Sequence, residues 1–257
     1  MAVGLAAGSG GRPESHTHLY GPHEPTAVSE QTTEGEFRVL ESTREREEWL
    51  LLDVETADPT YVDRSGYDEP LASAVEELTP GNRVRAELRW EDGEPRFADC
   101  EVVEETTFAF TRTREDLFGD AHGAWRDAEE AGQPMGSRVL VGQQGGQPVG
   151  VVYTFAKQQG QRDLFEEFRD GVKPLDPLLE RLAEAEDPPF GAFVLDHHEL
   201  AFLAVVLAFD PDGVLATTVR ETYFGASLFD SGALDVDVAG GTEAFDETDH
   251  AGHDHDT

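Results

Sequence analysis

Apolar and polar residues alternate most regularly over residues 83–90, where Val84, Ala86, Leu88 and Trp90 share one face and Arg83, Arg85, Glu87 and Arg89 share the other. A period of two predicts a half-buried β-strand. Residues 96–103 form its expected antiparallel partner, after a Glu-Asp-Gly-Glu-Pro segment. Matching the apolar faces sets Ala86 opposite Cys100, Leu88 opposite Ala98 and Trp90 opposite Arg96, with Arg85 meeting Glu101 outside. Upstream, residues 36–42 and 48–55 read as strands and 61–67 as a short third. Residues 70–78 place Leu71, Ala74, Val75 and Leu78 on one helical side, with Pro70 tolerated in the first turn.

Beyond residue 105 the period changes. Leu117, Ala121, Trp125 and Ala128 recur at helical spacing and predict a helix over 114–131. Strands are expected at 106–111, 138–141, 149–156, 190–195 and 200–209, the last apolar on both faces and so buried. Helices are expected at 162–170, 174–186 and 214–223. Hairpin-joined strands beside helices predict an α+β class with a mostly antiparallel sheet. Four segments follow: a disordered tail at 1–34, a β domain at 35–105, an α+β domain at 106–224, and a disordered acidic, His-containing tail at 225–257. The order of three strands, a helix and a hairpin in the β domain resembles an OB-fold, a five-stranded barrel or roll with one helix. Such modules bind oligonucleotides or oligosaccharides over one sheet face and its loops.

Charge changes the picture next. The 257 residues carry 54 acids and 19 bases, a formal charge of −35, and only two of the cations are lysine. The excess is shared: −13 over residues 35–105 and −10 over 106–224, with −3 and −9 in the tails. Such a surface repels itself in dilute buffer, and molar salt removes most of that repulsion by shortening the Debye length to about 3 Å. An acidic, lysine-poor chain therefore reads as the cytoplasmic protein of a salt-accumulating halophile. The single cysteine, Cys100, excludes an intramolecular disulfide and is read as a small buried hydrophobe. No apolar run reaches the ~20 residues of a membrane span, so no membrane partner is expected.

Candidate chemistry is sparse. Gly-Gln-Gln-Gly-Gly-Gln lacks the Lys-Ser/Thr of a phosphate loop and reads as a hairpin turn. Asp196-His197-His198-Glu199 reads as a turn, since adjacent strand residues point apart. The Asp-His tail, with His250, His253 and His255, reads as solvated chain. No catalytic residue, cofactor or metal ligand is assigned. What stands out is an arginine stripe, Arg83, Arg85 and Arg89, near the aromatic residues Trp49 and Tyr61. A cluster of uncharged or positive residues from Lys157 to Arg162 adds a candidate anion site. Together they predict a single-stranded nucleic-acid site, for RNA or DNA, that stacks bases on aromatics beside cations. A protein-interaction or self-assembly module without catalysis is the alternative.

The blocks DPTYVDRSGYDEPLA, VYTFAKQQGQRDLFEEFRDGVKPLDPLLERL and TVRETY resemble a haloarchaeal family of unknown function, over about residues 35–224. The resemblance implies the saline habitat. It implies no activity and transfers no site residue.

Overall fold

The computed structural model describes residues 32–91, 93–142, 146–157, 160 and 163–225. The expectations for both tails therefore lie almost wholly outside the described residues; β1 begins at Thr32, inside the first expected tail. The chain runs β1 (Thr32–Glu41), β2 (Glu48–Asp53), β3 (Pro59–Asp63), α1 (Leu71–Glu76), β4 (Arg83–Glu91), β5 (Glu94–Glu104) and β6 (Thr107–Thr113). It continues through α2 (Gly119–Glu130), β7 (Met135–Val141), β8 (Pro148–Ala156), α3 (Leu164–Arg169), α4 (Asp176–Ala183), β9 (Gly191–His197), β10 (Phe202–Ala208) and α5 (Val214–Tyr223). The class is α+β, with two five-stranded sheets ordered β3-β2-β1-β4-β5 and β6-β9-β10-β8-β7. Every pairing is antiparallel except β6 with β9.

The first sheet is not a closed barrel, because no ladder joins β3 to β5 among the described residues. Its two edges meet through side chains instead. Arg96 on β5 donates to Asp63 on β3 at 2.6 Å, and the Tyr67 and Phe97 rings pack edge to face. Inside lies a core of Phe37, Val39, Trp49, Leu51, Val62, Val84, Ala86, Leu88 and Phe97, covered at one end by Val75 and Leu78 around α1.

The β4–β5 hairpin departs from the expected register. Ala86 meets Cys100 and Arg85 meets Glu101 as anticipated, but a bulge after Glu87 sets Leu88 opposite Phe97 and Trp90 opposite Pro95. The reason is volume: the shift turns the Phe97 ring into the core, where Ala98 would leave a void. The turn is also tighter than five residues. Glu91 pairs with Glu94, and Gly93 takes a φ of +92° that favours glycine.

The central strands β9 and β10 of the second sheet are buried on both faces. Phe193, Leu195, Phe202, Ala204 and Val206 pack beneath α2 and α5, while Val194, Leu203, Val205 and Leu207 pack beneath α3 and α4. The latter core also takes in Leu40 and Leu50 from the outer face of the first sheet. One strand of alternating side chains thus serves two cores, Val39 inward and Leu40 outward.

At this junction lies Arg38, 3% exposed. Its Nε and Nη2 donate to Asp176 Oδ1 at 3.0 and 2.9 Å, and its Nη1 donates to Glu104 at 3.0 Å and to the Gly81 carbonyl at 2.7 Å. Gly81 has a φ of +100°, and a Cβ there would sit 2.4 Å from the Phe108 nitrogen, so no other residue lets the chain cross this closely.

Candidate functional site

The expected site residues separate in space. Trp49 is 5% exposed, its ring lies in the core of the first sheet, and the Arg64 guanidinium caps it 3.6 Å from the ring centroid. It therefore offers no free face to a base. Arg83 and Arg85 both bind Glu36, at 2.6 and 3.0 Å, and Arg85 also reaches Glu101 at 3.4 Å. These cations are held in cross-strand pairs. Arg89 lies 3.8 Å from Glu91, next to Trp90.

Glu36 carries the arginine stripe electrostatically. Hydrogen bonds from Arg83 and then Arg85 hold its carboxyl below the ordinary value of 4.5. A depressed carboxyl stabilises the fold above its unfolded pKa, and that contribution fades as pH falls through the lower folded value. Glu36→Gln is expected to lower stability by at most about 1 kcal/mol at pH 7, because both pairs are solvent-accessible. Urea titrations at fixed ionic strength should show the difference shrinking once the pH drops below about 4.

Lys157 directly follows β8, and its ammonium is committed. It contacts Asp196 and donates to the His197 carbonyl at 2.6 Å. Asp196, at the end of β9, also receives Arg112 Nε at 3.2 Å, and Arg112 continues to Asp163 and Glu166 at 2.6 and 2.8 Å. This network ties β6, β8, β9 and α3 at one end of the sheet. His197 is fixed there as well: Glu199 N–H donates to its Nδ1, which leaves Nε2–H to donate to the Arg114 carbonyl at 3.3 Å. Asp196 and His197 are thus the last residues of β9, held in structural contacts, and the turn itself is made by His198 and Glu199. Arg162 lies outside the described residues.

Of the expected residues, Tyr61 lines a groove. The groove measures about 500 Å³ and opens between the β2–β3 side of the first sheet and the β4–β5 turn. Tyr61 from β3 and Trp90 from β4 supply half-buried rings, and Arg44 from the β1–β2 loop stands 4.2 Å from the Tyr61 centroid. Four carboxylates, Glu45, Glu48, Asp63 and Glu94, share the wall. The outer face of β1 and β2 is otherwise closed, because Leu40 and Leu50 pack into the second core.

Trp90 and Arg44 escape the sequence reading for identifiable reasons. Strict alternation assigns Trp90 to the buried face, and β4 keeps that alternation through Leu88. The extra residue of the bulge is Ala98 on β5, and Trp90 lies near the end of β4, opposite Pro95, where the core gives way to the groove. Arg44 sits in an exposed acidic loop, where nothing distinguishes it from Arg46.

Among the described residues no helix is long and apolar enough to cross a membrane. No curated protein and no solved structure matches the chain. A model of a family of unknown function, DUF6663, matches residues 29–228, most of the length and both sheets, and the chain belongs to that family.

Proposed function

We propose that the protein binds single-stranded nucleic acid, RNA in the first instance, in the Tyr61–Trp90–Arg44 groove. The observation that carries this reading is an open groove lined by the half-buried Trp90 and Tyr61 rings, where the Arg44 guanidinium lies over the Tyr61 face that a base would take in its place. Stacking of a base on an aromatic side chain is worth about 1–3 kcal/mol and tolerates any base. The groove's carboxylates disfavour phosphate but accept hydrogen bonds from the exocyclic amines of cytosine, adenine and guanine. Bases enter the groove, and the phosphate backbone runs outside it past Arg44 and Arg46.

An OB-like ancestry for the first sheet supports the reading. Strand order β3-β2-β1-β4-β5, a helix between β3 and β4, and side-chain contact between β3 and β5 fit an opened version of that fold. The groove then falls at the β1–β2 and β4–β5 loops, where OB modules take their ligands. The acidic surface fits a salt-adapted cytoplasm. High salt removes counterion release as a source of affinity, so stacking must supply it.

Tyr61→Ala is expected to weaken binding of a cytosine-rich single-stranded RNA by about 5- to 150-fold in molar KCl. Equilibrium titration of wild type and variant with the same labelled oligonucleotide checks it. Wild type that binds no oligonucleotide, or equal affinities for the two proteins, would exclude the groove as the site.

A further inference from the structure

Residues 131–162 contain no Asp or Glu, in a chain that carries 54; no other acid-free run exceeds 13 residues. This stretch forms the β7–β8 hairpin, and β7 is an edge of the second sheet. Edge strands are normally blunted by outward charges, proline or a covering element. β7 carries one charge, Arg138, and that side chain turns to the α2 side, where it binds Asp127 at 2.6 Å and Asp120 at 3.5 Å. Leu140 enters the core on the same side, and Gly136 lies against the α2 backbone.

The opposite side is apolar and open among the described residues. Met135, Val139 and Val141 are 38%, 55% and 60% exposed. The backbone is open too. Ala156 N–H donates to the Pro134 carbonyl, so the even-numbered residues of β7 face β8 as bonded pairs. Met135, Ser137 and Val139 consequently direct their N–H and C=O groups away from the sheet.

We infer that β7 pairs with β7 of a second copy, antiparallel about a twofold axis, joining the two five-stranded sheets edge to edge. The charge pattern selects this occupant. Two chains of −35 repel over most of their surfaces, and strands in a sheet approach to about 4.8 Å. An identical β7 brings an edge strand without a carboxylate, whose one charge, Arg138, is already paired with Asp120 and Asp127 of its own α2. A twofold axis through Ser137 sets Met135 of one copy opposite Val139 of the other, and the reverse, as an isologous contact requires. The seam is independent of the Tyr61 groove, which lies on the other sheet.

Size-exclusion chromatography with light scattering in molar KCl tests the pairing. Wild type should give twice the chain mass of 28.2 kDa. Val139→Lys places an ammonium in the seam on an outward, exposed position and should give the single-chain mass, with an unchanged circular-dichroism melt. Val141→Lys repeats the test at a second exposed position, in case the first variant melts early. A monomeric wild type overturns the inference, even one that carries a different protein on this edge. So does a dimer that survives both lysines.

Discussion

Arg38→Ala is expected to cost about 3–5 kcal/mol, a large share of a typical domain's stability. The cost comes from what the arginine leaves behind. Asp176 is buried at the start of α4 and takes both Nε and Nη2 of Arg38 on a single oxygen. Without that partner the carboxylate stays buried and uncompensated, and the Gly81 carbonyl loses a 2.7 Å donor. Removing the whole pair should be far milder, because two desolvation penalties disappear along with the attraction. Arg38→Met with Asp176→Leu is therefore expected to recover the share of the loss that comes from Asp176, while the Gly81 carbonyl and Glu104 stay without their donor. Urea midpoints of the two single variants and the double variant, at fixed ionic strength, give the coupling directly. An Arg38→Ala variant within about 1 kcal/mol of wild type would mean that water reaches this junction freely.

Cys100 should resist alkylation by about a thousand-fold relative to an ordinary thiol at pH 8. Its side chain lies in the core of the first sheet, opposite Ala86, and burial pushes its pKa up to about 12. Only the thiolate reacts, and its population at pH 8 falls about tenfold for each unit of that rise. Neighbouring Asp99 adds like charge in the same direction. Reaction should reach the ordinary rate once urea opens the sheet, so a thiol reagent followed by mass spectrometry reports local unfolding. The Arg38→Ala variant should lose part of the protection if the two sheets unfold as one unit. A thiol that reacts at full speed in the folded wild type would contradict the burial.

The regular parts of this fold were legible because they obey a local period. β4, β8 and β10 announce themselves through alternation or unbroken apolar runs, and α2 through its 3.6-residue spacing. The Trp-Leu-Leu-Leu run of β2 held more information than alternation extracts. Apolar residues on both faces of a strand require a layer on each side. Trp49 and Leu51 fill the inner core, while Leu50 fills the one beneath α3 and α4. That same run explains why Trp49 is unavailable to a ligand.

Features that depend on distant residues were not legible. Arg38 reads as an outward polar position in Phe-Arg-Val-Leu, and its partner Asp176 lies 138 residues away. The parallel pairing of β6 with β9 depends on where a crossover of three helices and two strands returns the chain. The Phe97 bulge depends on core volume rather than on pattern, and it carried Trp90 out of the expected register. Asp-Gly between two alternating runs is a two-residue hairpin signal, and it foretold the tight turn that the five-residue loop missed.

Tryptophan fluorescence during titration with single-stranded RNA in molar KCl tests the nucleic-acid reading most directly. Trp49 is buried in the first core and Trp125 is stacked on Phe202, so Trp90 is the tryptophan lining the groove. The account predicts saturable quenching by a cytosine-rich oligonucleotide, absent in Trp90→Phe and unaffected by Trp125→Phe. No quenching, with no binding by a labelled oligonucleotide under the same conditions, would contradict it.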